Sequence, residues 1–312
     1  MTEIDVARHS NQIDPVLHIW GWEIPVYLFL GGMAAGAMIL SSLLALRRGE
    51  RSPTARWLTL AAPLLVSVGM GALFLDLAHK LYVWRFYLAF RWTSPMSWGA
   101  WILVVVYPVT LLFAAASLDE AQVARASGFL GRLGLGKLPA LLRGLAAGRE
   151  RALAWAHLGT GAGLGIYTGI LLSTLGARAL WGSALLGPLF LVSGLSTGAA
   201  LFLLFPVKEE ERHYLVRWDM LAIGLEVLLL VLVIVGLSTG GAAGQEAVGL
   251  ILGGRFTAQF WTLVVIGGLV APVLLETLEA RFHYRVTAVA PLLVLVGGFA
   301  LRWILVAAGQ VA

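Results

Sequence analysis

A chain of 312 residues that is 59% hydrophobic and only 12% charged, with a mean hydropathy of +0.87, lies outside the range of water-soluble domains. Its isoelectric point near 9.8 and net charge of +5 point to anionic lipid and not to nucleic acid, because the basic residues crowd into loops between apolar stretches. The absence of cysteine excludes a disulfide and any iron–sulfur cluster ligated by this chain.

A hydrocarbon core of roughly 30 Å takes about 20 helical residues to cross. Eight stretches qualify: 24–46, 57–80, 97–117, 152–175, 184–206, 217–238, 258–278 and 287–308. The expected fold is an all-α integral membrane protein, a single domain over 1–312. The residues before the first span hold Glu3 and Asp5 with no short apolar core, so no cleavable signal peptide is expected. Span one contains Gly32 and Gly36 in an otherwise apolar run. Span two ends on Asp76, His79 and Lys80, and span three is entered through Ser94-Pro95, with proline suited to a first helical turn. Segment 118–151 is leucine-rich but broken by Arg132, Lys137, Pro139 and Arg143. Central charges cost roughly 2.5–3.5 kcal/mol each on insertion, so this segment reads as a cytoplasmic loop with an interfacial amphipathic helix.

Span four carries His157 toward its inner end and Gly165-Ile166-Tyr167-Thr168-Gly169 in its outer half. His157 reads as a polar packing residue. A short connection with Arg178 and Trp181 leads to span five, which holds Ser193, Gly194, Ser196, Thr197 and Gly198. Glu226 lies mid-span in span six, Glu276 in the inner part of span seven and Arg302 in the outer half of span eight. Ionisable groups at such depths are functional candidates. Glu276, followed by Glu279 and Arg281, also reads as an interfacial residue reaching water. Glu226 and Arg302 read either as a buried structural pair or, with Glu276, Ser193 and Ser196, as a proton route.

Fifteen of the 22 lysines and arginines fall in the loops after spans one, three, five and seven, including Arg47, Arg48, Arg125, Arg143, Lys208 and Arg285. Arg8, Lys80, Arg85, Arg91, Arg178 and Arg255 fall on the other side. The positive-inside rule therefore puts both termini outside. Trp20, Trp22, Trp98, Trp181 and Trp261 mark outer span ends, and Trp57, Trp155 and Trp218 inner ones. Spans one and five share a feature: glycines four apart, then a charged loop closing on Arg-Trp at 56–57 and 217–218. Chance recurrence of ordinary helix packing accounts for this as readily as does a pair of related four-helix bundles, 24–175 and 184–308. The histidines, His9, His18, His79, His157, His213 and His283, offer no two at one depth on different spans, so no haem is expected.

Asp76, His79, Tyr167 and Arg178 share the outer edge. A carboxylate and imidazole can exchange protons, a phenol can hydrogen-bond a carbonyl, and an arginine can stabilise a developing anion. The residues around them carry a family likeness. Trp20-Gly21-Trp22-Glu23-Ile24-Pro25 with Tyr27 to Gly32, Ser94-Pro95-Met96-Ser97-Trp98-Gly99, Tyr167-Thr168-Gly169 and Gly297-Gly298 through Arg302 to Gly309-Gln310 resemble the NrfD-like, or polysulfide reductase membrane-subunit, family over essentially the whole chain. The resemblance implies a haem-free subunit of the bacterial or archaeal cytoplasmic membrane that reacts with menaquinone or ubiquinone. It further implies a ferredoxin-like iron–sulfur partner on the outer face, connected to a molybdopterin or multihaem catalytic subunit. By position, the quinone site would use Glu23, Tyr27, Asp76, His79, Tyr167 and Arg178. Two other readings stand beside this one: a secondary transporter using Glu226, Glu276 and Arg302, and a passive membrane anchor.

Overall fold

Long apolar runs satisfy their backbone only as helices in lipid, and the described residues of the computed structural model, 20–47, 50–175, 178–282 and 288–311, are helical with no strand among them. The long elements are α1 (Glu23–Leu46), α2 (Pro53–Asp76), α3 (Pro95–Ser117), α4 (Glu120–Gly131), α5 (Leu138–Ala146), α6 (Glu150–Ser173), α7 (Leu186–Leu203), α8 (Glu209–Thr239), α9 (Ala242–Leu252), α10 (Thr257–Glu279) and α11 (Val289–Gly309). Seven of these (α1, α2, α3, α7, α8, α10 and α11) are long and apolar enough to cross a bilayer. The 24-residue α6 matches them in length, but Glu150, Arg151 and His157 make it more polar.

Several boundaries differ from expectation. The second span stops at Asp76, where the backbone turns extended at Leu77 and a 3₁₀ turn, Lys80–Tyr82, follows. Segment 118–151 holds two helices where one is expected. Asp119 starts α4 with a capping box to Gln122, and Gly134, at φ 75°, reverses the chain toward α5. The stretch 239–257 contains the additional helix α9. Helix α8 begins eight residues before the expected span, because Glu209, Glu210 and Glu211 suit a helix N-terminus. Two irregularities follow from sequence. Pro63 cannot bond back to Thr59, and a 3₁₀ turn, Leu58–Leu60, sits there. In α10 the stretch Phe260–Val270 is a π-helix that contains Gly267 and Gly268 and runs into Pro272.

Helix α1 is central. It packs on α2, α6, α7 and α11; α3 packs on α2 and α6, while α7, α8, α10 and α11 pack on one another around the other side. The join between α1 and α7 is made by the glycines of the two similar motifs. A Cβ on Gly194 would stand 2.6 Å from the Gly32 carbonyl, one on Gly36 would run into the Gly194 carbonyl, and one on Gly198 would meet Gly36. Small residues four apart thus bring backbone onto backbone. At one end Gln310 brackets Trp20, its amide donating to the Trp20 carbonyl at 3.0 Å and accepting the Trp20 N–H at 2.9 Å. Trp181, expected among the interfacial tryptophans, is instead buried at 1% exposure; its indole donates to the Leu305 carbonyl at 2.8 Å, in space that Gly309 leaves open. His9, His18, His283, Arg8, Arg48 and Arg285 lie outside the described residues.

Candidate functional site

Where α2 ends, residues 77–94 fold back over the starts of α1 and α3 and the end of α6. Ser97 fastens this cover, donating to the Ala89 carbonyl and accepting the Arg91 N–H, both at 3.0 Å. The Trp98 indole donates to the Trp92 carbonyl at 2.8 Å, and Phe90, Trp92, Trp98 and Trp101 pack edge to face. Beneath the cover is a cavity of about 370 Å³ whose walls include Met70, Leu73, Phe74, Leu103 and Leu171, and into which Tyr27, Tyr87 and Tyr167 are set. An adjoining cavity of about 500 Å³ shares Leu77, Phe86 and Met96 with it and opens outward past His79, Tyr82, Arg85 and Arg91.

The first cavity has the composition of a site for a flat apolar ring: mostly hydrophobic walls with a few hydroxyls to fix orientation. Gly99 makes the arrangement possible. A Cβ there would overlap the Tyr167 ring and hydroxyl, so only glycine leaves room for this phenol in the position it takes. Tyr87 is held as a neutral phenol, since burial pushes it above its ordinary range. Sequence reasoning passes over Tyr87, because it stands in a short turn, Arg85–Leu88, with no motif around it.

The expected single cluster is divided. Tyr27 and Tyr167 share the inner cavity, and His79 is exposed in the outer one. Asp76 borders neither; it is half-buried at the end of α2, within electrostatic reach of Glu23 and Lys80. Glu23 and Arg178 also line neither cavity, Arg178 being held in the turn between α6 and α7. The physical reason is the early end of α2: the chain leaves the helix at Leu77, which carries His79 outward from Asp76 instead of one turn further along.

A second group of polar residues lies among α7, α8, α10 and α11. Arg302 is fully buried but does not pair directly with Glu226. Its guanidinium donates to the carbonyls of Leu28 (3.2 Å), Phe190 (3.3 Å) and Gly298 (2.8 Å) and to the Ser193 hydroxyl (3.0 Å). Glu226, Ser193, Ser196 and Thr197 line one small gap against Gly268, Gly297 and Gly298, and Ser193 stands between the two charges. The Ser196 hydroxyl donates to Asp219 at 2.5 Å. Asp219 in turn lies within reach of Glu276, and Asp219 Oδ2 and both Glu276 oxygens have no other partner. Glu276 is therefore not the water-facing residue expected: it is 2% exposed, while Glu279, one turn on, binds Arg212 at 2.7 Å. Asp219 is absent from the sequence-based set. The available signal is its seven-residue spacing from Glu226, which puts both on one helix face.

His157 is fully buried, with Nδ1 2.9 Å from the Ser42 hydroxyl and its ring stacked on Phe113 at 4.5 Å. This is the packing role expected of it.

A chain with seven helices among its described residues long and apolar enough to cross a bilayer is a multi-pass membrane protein, and this one has a phenol-lined apolar cavity at one end. The chain matches the family described as "Polysulphide reductase, NrfD" over residues 5–312, and it belongs to that family. It is 31% identical to a polysulfide reductase chain of Wolinella succinogenes over 308 residues, 94% of each protein. It is likewise 31% identical to protein NrfD of Escherichia coli K12, over 94% of this chain and 95% of that one. Identity to a selenate reductase subunit of Mesobacillus selenatarsenatis is 27%, over 94% of this chain and 74% of that one.

Proposed function

We propose that this chain is the quinone-reactive membrane subunit of a respiratory reductase complex in a bacterial or archaeal cytoplasmic membrane. Its relatives among the polysulfide and selenate reductases support a membrane subunit of a reductase, and the tyrosine-lined cavity is the observation that carries quinone reactivity. It crosses the membrane eight times, as two four-helix bundles over 24–175 and 184–308 with both termini outside. The burial of α6 against α1, α3 and α7 supports its counting as a span, and the basic loops support the orientation.

A bound menaquinone or ubiquinone supplies the two-electron chemistry. The chain's residues bind and orient it and handle its protons. Tyr27, Tyr87 and Tyr167 donate hydrogen bonds to ring carbonyls, and the apolar walls keep water from the ring. His79, in the outer cavity, and Asp76, beside Glu23, exchange protons with outer water. Electrons pass between the quinone and a ferredoxin-like iron–sulfur subunit seated over residues 77–94, which connects to a molybdopterin or multihaem catalytic subunit. No haem or iron–sulfur cluster belongs to this chain. In the second bundle, Glu276, Asp219, Ser196, Ser193 and Glu226 form a proton route from the inner side toward Arg302. Asp219 Oδ2 and the Glu276 carboxyl, with no donor between them, are satisfied by sharing a proton, which suits them to passing one on.

Tyr167→Phe and Asp76→Asn test the site in the assembled complex. Both variants should assemble and lose quinol turnover. A passive anchor would tolerate both, and full turnover in the two would replace the quinone reading with that one.

A further inference from the structure

Between residues 121 and 149 the chain has five lysines and arginines and no acidic residue. Helix α5 packs against α3 and α4 and buries Pro139 and Ala146. Its other face presents Leu138, Leu141 and Leu145 at helical spacing, and the turn before it adds Leu133 and Leu135; Leu133 is 67% exposed and Leu141 60%. Phe129, at the end of α4, is 66% exposed as well. Apolar side chains this open need a cover. The cations around them, Arg132, Lys137, Arg143 and Arg149, form no ion pair among the described residues; the nearby Arg56–Asp119 pair leaves them untouched.

We infer that the α4–α5 hairpin is a binding site for anionic phospholipid of the inner leaflet. The leucine stripe lies among acyl chains and the four cations hold phosphate headgroups. Two observations favour lipid over a protein partner. Helix α5 packs against α3, whose own exposed side chains include the apolar Val104, Val105 and Leu111. Arg132 and Lys137 stand before the stripe in the chain and Arg149 after it, with Arg143 on the far side of α5, and long basic side chains beside an apolar face snorkel to a membrane interface. Zwitterionic lipid would cover the leucines and leave the charges unmatched, so the site selects for negative headgroups. The inference rests on the proposed spanning arrangement, with the basic loops inside.

Because the chain has no cysteine, single labels report without background. Full-length protein carrying a spin label at Leu141→Cys, in phosphatidylcholine vesicles with phosphatidylglycerol, should show access to oxygen and protection from a water-soluble nickel chelate, at roughly 5–10 Å below the headgroups. A second label at Leu225→Cys, on the exposed face of α8, serves as the reference for a span. Leu225 deep with Leu141 in water overturns the lipid site alone; both in water overturns the spanning arrangement with it. Spin–spin broadening at Leu141, the mark of a second copy, also overturns it. In the same protein, the R132Q/K137Q/R143Q variant should lose bound phosphatidylglycerol by about fivefold for each cation removed, and bound phosphatidylcholine should not change. Equal retention of the two lipids by the unmodified protein would refute selectivity for charge.

Discussion

Gly99→Ala puts the quinone reading under the closest test, because the structure fixes what the added methyl must do. The new Cβ lies within the volume of the Tyr167 ring, so either the ring or helix α3 gives way. Moving a packed helix costs about 1–3 kcal/mol. Turning a phenol off its rotamer costs about 0.5–1.5 kcal/mol, and here the ring turns into an existing cavity of about 370 Å³. The ring therefore moves, and stability should fall by about 1 kcal/mol. The hydroxyl moves with it, and one hydrogen bond, about 0.5–1.5 kcal/mol net, no longer reaches the substrate. The displaced ring also narrows the cavity. Oxidation of a short-chain quinol by the intact complex should drop at least as far as in Tyr167→Phe, with a larger rise in KM. Thermal melting of the purified complex gives the stability arm. Turnover within twofold of the unmodified complex, at unchanged KM, would refute the assignment of this cavity.

The remaining predictions concern the frame and the second bundle. Gly36→Leu should abolish assembly, since its side chain has only the Gly194 backbone to enter; normal yield in membranes would contradict the glycine contact. Trp181→Phe removes the bond to the Leu305 carbonyl and should lower stability by about 1 kcal/mol, read as a melting shift with turnover intact. Asp219→Asn supplies an amide donor to Glu276, so the complex should assemble and turn over quinol, while proton uptake in sealed vesicles is lost; unimpaired uptake would remove Asp219 from the route. Glu226→Gln should give the same uncoupled phenotype, because Arg302 keeps its bonds to three carbonyls and Ser193 and is not stranded.

The apolar helices are legible in the sequence because lipid demands length and hydropathy, and both are written linearly. Most of the expected spans lie within a few residues of the helices observed. What the pattern misses depends on where the chain turns. Asp76, His79 and Tyr167 read as one edge, yet a span taken as continuing to residue 80 conceals the break at Leu77 that separates His79 from the phenols. Tyr87 carries no signal, since its place in the cavity depends on the fold-back that Ser97 ties down. Asp219 is obscured by the charged run from Lys208 to Arg217, which reads as loop although it is already helix α8. Trp181 shows the limit of residue-type statistics: tryptophan near a span end suggests an interfacial belt, and only the gap at Gly309 reveals a core residue.

The meeting of α1 and α7 has a mechanical consequence. Ordinary helix contacts are cushioned by side chains that exchange rotamers when neighbours shift. Glycine on glycine has no such cushion, so the two helices behave at the crossing as one rigid lever. Tyr27, in the cavity wall, is on one arm, one residue before the Leu28 carbonyl that Arg302 holds; Ser193 and Ser196, beside Glu226 and Asp219, are on the other. The stiffness of this crossing comes from residues that contribute no side chain.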